Sequence, residues 1–122
     1  MSAALEHLGR ISREYAVKTG EYGPIAEAAA VAEAAHKTAR AKAILRYRAT
    51  EGVRSHAEAE TRAEADDEIA DLYQARLVAA AKADSHREHL RQLREQVAVG
   101  RSKVASERAD DQFHARGHTG AA

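Results

Sequence analysis

The chain has 122 residues, 19 basic and 19 acidic side chains, and no cysteine. The charge balance excludes a polyelectrolyte, and the missing thiols exclude disulfides, cysteine-based zinc sites and thiol catalysis. Its apolar complement is 30 alanines and only 24 larger residues, which is thin for a globular core but rich in the best helix former.

The first predicted element covers about 3–18. Ala4, Leu8, Ile11 and Tyr15 recur at alternating steps of four and three, one face of an amphipathic helix. Glu6 with Arg10 and Glu14 with Lys18 add i,i+4 charge pairs on the outside. Gly20-Glu21-Tyr22-Gly23-Pro24 then predicts a break, because it holds two glycines and the only proline. Pro24 suits the first turn of a new helix, where its missing N–H costs nothing.

A second helix is expected over about 24–51, with a packing seam at Ile25, Ala28, Ala32, Ala35 and Ala39 that drifts toward Ala43 and Tyr47. Gly52 is the expected C-cap, and Ser55 with Glu58 matches the S-x-x-E capping box that opens a helix. Residues 52–55 therefore read as the short turn of an antiparallel helical hairpin.

The third helix should run from His56 to Ala98 and onward toward Arg108. Its stripe is Ile69, Leu72, Arg76, Ala79, Ala83, His86, Leu90, Leu93 and Val97, in heptad spacing, widened by Tyr73, Leu77 and Ala80. Gly100 is expected to weaken or end it. Residues 109–122 lack periodicity and read as a disordered tail. At about 1.5 Å per residue the three helices span roughly 24, 40 and 64 Å, so the first two together match the third. An extended arrangement along the third helix and a compact three-helix bundle both satisfy these lengths. The expected fold class is all-α: a long, coiled-coil-like antiparallel hairpin over 24–108 with an additional N-terminal helix at 1–19.

Charge distribution supports the hairpin independently. Lys37 to Arg54 carries six bases and one acid, net +5; Glu58 to Asp71 carries seven acids and one Arg, net −6. A turn at 52–55 lays these blocks side by side and suits both helix dipoles. Each exposed pair is worth only about 0–1 kcal/mol, but together they specify direction and register.

Catalytic and metal constellations are poorly represented. His86/His89 and His114/His118 have helical spacing, yet neither pair has an evident third ligand, so neither predicts a metal site. Asp66-Asp67-Glu68 reads as a solvated ion-pair face rather than a cation site. No Gly-rich phosphate loop or nucleophile elbow is present, and the expectation is a protein that is not an enzyme and uses no cofactor. Arg87, Arg91, Arg94, Arg101 and Lys103 line the far part of helix three. The stretch from Arg76 to Lys103 carries seven bases and three acids, making these residues candidates for contacts to a nucleic-acid backbone. Base-stacking aromatics are not interleaved with them.

Three stretches, ARAKAILRYRATEG (39–52), the helix from Glu68 to Val97, and VGRS (99–102), give the chain a further association. Over 14–102 it resembles small α-helical proteins from phages of actinobacteria, often encoded near genes for homologous recombination or DNA replication. The resemblance implies a phage accessory role in the host cytoplasm and brings no catalytic residues with it. The thin core and the polar Arg76 and His86 within the stripe predict self-association. The functional expectation is a non-catalytic, oligomeric interaction protein acting through a protein partner. Direct DNA binding and a virion-structural or assembly role are the alternatives. No apolar run is long enough to cross a membrane, and the first residues lack the features of a signal peptide. A cytoplasmic location follows as the expectation.

Overall fold

A computed structural model describes residues 2–120, with side chains described through 117. It contains α1 (Ala3–Arg48), α2 (His56–Ala65) and α3 (Asp67–Gly120), and no strand among the described residues. The fold is all-α, an antiparallel helical hairpin in which α3 runs against α1.

The expected break at Gly20–Pro24 does not interrupt the helix: Pro24 lies inside α1 rather than in its first turn. Proline removes the N–H that would reach the Gly20 carbonyl and costs about 3 kcal/mol in a helix interior. The helix nevertheless continues. The less exposed positions of α1 follow one unbroken repeat: Ala4, Leu8, Ile11, Tyr15, Lys18, Tyr22, Ile25, Ala29, Ala32, His36, Ala39 and Ala43. Continuity corrects the seam. Ala28 and Ala35 are exposed, and Ala29 and His36 take the inward positions instead. Restarting the count at Pro24 shifts the phase by one residue; carrying it through from Ala4 does not.

The chain divides into two compact units. Unit 1 comprises residues 1–21 and 86–122, and unit 2 residues 22–85. The division falls within the Gly20–Pro24 stretch.

Unit 1 buries Ile11, Leu93 and Val97, with Leu8 and Tyr15 packed against them. The inward positions of α3 continue through Gly100 and Val104. Gly100 does not end the helix. A Cβ there would lie 3.1 Å from Leu8 Cδ1, so the glycine makes room for the leucine. His86 Nε2 donates to the Lys18 carbonyl at 2.6 Å, and His89 lies 3.6 Å from Glu14 across the pair.

Unit 2 is the hairpin. Its core is Ala43, Ile44, Ala59, Ala63 and Ile69, with Ala39, Tyr47 and Val53 alongside. The opposed charge blocks meet as Arg40 with Glu64 at 3.0 Å and Glu60 at 3.7 Å, and Arg46 with Asp66 at 3.2 Å. α1 ends at Arg48, earlier than the expected Glu51. Gly52 therefore sits inside the turn rather than capping the helix, with a positive φ of 89° that favours glycine. Ser55 caps α2: its Oγ accepts the Glu58 N–H at 3.1 Å. The Glu58 carboxylate reaches back to the Arg54 N–H at 3.0 Å, one residue beyond the usual capping-box partner.

The expected third helix is divided at Asp66, whose extended backbone (ψ 129°) ends α2. Its Oδ1 accepts the Glu68 N–H at 3.0 Å, capping α3. Its Oδ2 accepts from the Tyr47 hydroxyl at 2.9 Å and from Arg46. Asp66 thus ends one helix through its backbone, and its carboxylate starts the next and ties it to α1. An aspartate followed by Asp67 and Glu68 in a first turn is a helix-start signal that the continuous reading of 56–98 passes over. At the other end, residues 109–120 continue α3, where a tail was expected. Ala121 and Ala122 lie outside the described residues. Among the described residues no helix is long and apolar enough to cross a membrane.

Candidate functional site

The repeat supplies a coordinate system. With the inward positions labelled a and d, positions e and b share one flank of each helix, and g and c the other. In α1, a is Leu8, Tyr15 and onward; in α3, a is Ile69, Arg76 and onward.

In unit 2 the inward line is small and interrupted by polar residues. His36 is buried beside Arg76, whose Nη1 lies 3.1 Å from its Nδ1. Arg76 also pairs with Glu33 at 3.4 Å. Because the guanidinium can only donate, the His36 Nδ1 is the acceptor and the ring is neutral. Burial, reinforced by Arg76 and Arg40, lowers the His36 pKa below its ordinary 6.5. The Glu33 carboxyl is held below its usual range by Lys37 and, secondarily, Arg76. Asp66 is lowered chiefly by the Tyr47 hydroxyl.

A cleft of about 500 Å³ opens beside this cluster, lined by His36, Arg40, Glu64, Ile69, Tyr73 and Gln74. Its charged groups and its histidine are already engaged: Arg40 with Glu64, and His36 with Arg76. Tyr73 stacks against His36 with ring centroids 5.3 Å apart. No nucleophile is aligned with a base here. Among the described residues no three His, Asp or Glu side chains form a metal-binding group, and His118 lies beyond the described side chains.

The outer g and c flank of unit 2 carries an apolar patch in its middle, bordered by Lys42, Glu68, Asp71 and Lys82. Ala28, Val31, Ala35 and Leu45 of α1 lie there with Ala75 and Val78 of α3. Val31, Leu45 and Val78 are 62%, 69% and 66% exposed. The two alanines assigned by spacing to the internal seam thus belong to an outward stripe. The other seam residues lie inward: Ile25, Ala32, Ala39, Leu72, Ala79 and Leu90 are half-buried, and Ile69, Ala83, Leu93 and Val97 are buried.

The five basic candidates separate. Arg87, Arg94 and Arg101 occupy successive e positions of unit 1, and Arg108, which the initial set omits, occupies the next. Arg91 is on the same flank at a b position but is held by Glu88 and by Glu95, the latter at 2.8 Å. Glu88, then Glu95, raises the Arg91 pKa. Lys103 lies on the opposite flank, in a groove of about 430 Å³ with His7, Ile11, Gln92 and Gly100. Among the described residues no side chain pairs with Arg94, Arg101 or Arg108. Counting in sevens from Arg87 finds Arg108 in the sequence; grouping bases by proximity along the chain does not.

Comparison with known protein families, with characterised proteins and with solved structures finds no match.

Proposed function

We propose that this chain is a non-catalytic helical interaction protein that self-associates and acts by holding other macromolecules together. The observation that carries the reading is the outward apolar stripe of unit 2. Val31, Leu45 and Val78, interleaved with Ala28, Ala35 and Ala75, repeat the inward spacing on a face that the unit itself leaves in water. Exposed apolar residues in register on two adjacent helices suit another helical surface. The small alanines permit close approach of helix axes. A second copy of the same flank is the simplest occupant, because two-fold pairing needs only one self-complementary patch.

The resemblance to small helical proteins of actinobacterial phages supports an accessory role beside DNA recombination or replication, exercised through a protein partner in the host cytoplasm. The polar groups of unit 2 pair with one another rather than converging on an open point, which supports a binding role over catalysis.

Sedimentation velocity over a concentration series tests the reading. The wild-type chain is expected to sediment as a dimer or larger species. Val31→Lys with Val78→Lys should shift it to monomer at unchanged helicity by circular dichroism. A wild-type monomer at every concentration, or a double variant that associates undiminished, overturns it.

A further inference from the structure

We infer that the g and c flank of unit 2 pairs with a second copy of itself in one orientation: antiparallel, α1 against α1 and α3 against α3, with Asp71 of each copy against Lys82 of the other. The inference rests on the self-association proposed above and adds the register and the charged contacts that fix it.

Two contacts set the heights along this flank. Arg76 lies against His36, and Ile69 packs in one cluster with Ala43. The middle of the α3 strip, between Ala75 and Val78, is therefore level with Ala35 of α1. Above that level α3 carries Glu68 and Asp71, and below it Lys82; α1 carries Lys42 above and Glu27 below. All five are exposed. Among the described residues no ion pair engages any of them. The helix pair thus holds acid and base at opposite ends of an apolar patch and leaves both unanswered within the chain.

A two-fold axis across the patch at Ala35 answers them. It brings Val78 onto Ala75 of the second copy, Asp71 onto Lys82, and Glu68 within a turn of the same lysine. On α1 it sets Ala35 beside its own copy and Lys42 over Ala28, with Glu27 one residue away. Leu45, 69% exposed, falls between Pro24 and Ala28. Every charged contact then occurs twice, and the apolar side chains meet apolar ones.

The parallel alternative, with α1 against α3 of the second copy, matches less well. It keeps Lys42 between Glu68 and Asp71, but it places Leu45 beside Glu68 and Lys82 beside Val31. An apolar side chain against a carboxylate and a lysine against valine both forfeit desolvation energy that the antiparallel register recovers.

The test is a charge exchange read by sedimentation velocity on the full chain, with helicity followed by circular dichroism. Asp71→Lys and Lys82→Asp each set like charges together at both symmetric contacts and should weaken the dimer about tenfold. Mixed in equal amounts, the two variants should associate as the wild type does, because each contact again joins opposite charges. The chain has no cysteine, so disulfide trapping reads the register directly. Ala35→Cys should crosslink to its own copy under mild oxidation. Leu45→Cys, about 28 Å from its copy along the axis, should not.

A wild-type monomer at every concentration removes self-association and this geometry together. If the wild type is a dimer, three results overturn the antiparallel register and leave self-association standing. These are unchanged association of both charge variants, loss in Asp71→Lys without loss in Lys82→Asp, and no crosslink through Ala35→Cys. A mixture of the two charge variants that stays dissociated would equally overturn it.

Discussion

Units 1 and 2 share one pair of antiparallel helices and one heptad repeat, yet they fill their interiors differently. Unit 1 points large side chains inward (Leu8, Ile11, Leu93, Val97) and arginines outward, with Val17, Val99 and Phe113 also in water. Unit 2 packs Ala43, Ala59 and Ala63 inside with Ile44 and Ile69, admits His36 and Arg76 to its seam, and leaves Val31, Leu45 and Val78 in water. Common backbone geometry therefore does not impose a common role. Area bookkeeping explains the contrast: buried Leu and Ile remove far more apolar surface from water than Ala. Unit 1 can close on itself and present charge. Unit 2 gains less from its alanine-rich interior and leaves Val31, Leu45 and Val78 in water.

That contrast predicts opposite responses to side-chain size. The largest effect is expected at Leu93, 3% exposed in unit 1. Leu93→Ala should cost about 2–5 kcal/mol, measured by urea denaturation, because the lost contacts leave a cavity. A loss below about 0.5 kcal/mol would mean that the unit 1 seam is not a close-packed core. In unit 2 enlargement is the damaging change. Ala63 is fully buried against α1, so Ala63→Leu should destabilise by about 1–3 kcal/mol through overpacking. Stabilisation by this substitution would show the alanine interior to be underfilled, ending the distinction between the units.

The smallest effect is expected from pH and belongs to unit 2. The His36 pKa is lowered on folding, so the unfolded chain binds this proton more readily. The stability tied to neutral His36 is present above about pH 6.5 and declines as pH falls through the window below it. Asp66 and Glu33, also lowered, lose their contributions separately, as pH falls through the carboxylate range. Melting temperature should therefore drop between pH 7.5 and 5.5 in the wild type and less steeply in His36→Leu. Parallel slopes for the two chains would place His36 outside the titrating core.

Much of this architecture is legible from spacing. The α3 stripe from Ile69 to Val97 appears in the sequence as an uninterrupted alternation of three and four, and Ser55 with Glu58 marks the start of α2. The +5 and −6 blocks lie where an antiparallel turn brings them into contact. The arginine flank was partly legible. Arg87, Arg94 and Arg101 stand out by charge, but separating them from Lys103 requires knowing which positions face inward.

The sequence by itself determined helical class, the antiparallel turn and the heptad period of α3, because propensity, capping chemistry and side-chain periodicity act over a few turns of chain. Tertiary structure decided the rest. It carried α1 through Pro24, where local cost argued for a break. It thereby set the phase that turns Ala28 and Ala35 outward. It divided the expected third helix at Asp66, where a carboxylate capping α3 also meets Tyr47 and Arg46 from another helix. The tie from Asp66 to Tyr47 and Arg46 joins residues about twenty apart in the chain, which no local pattern contains.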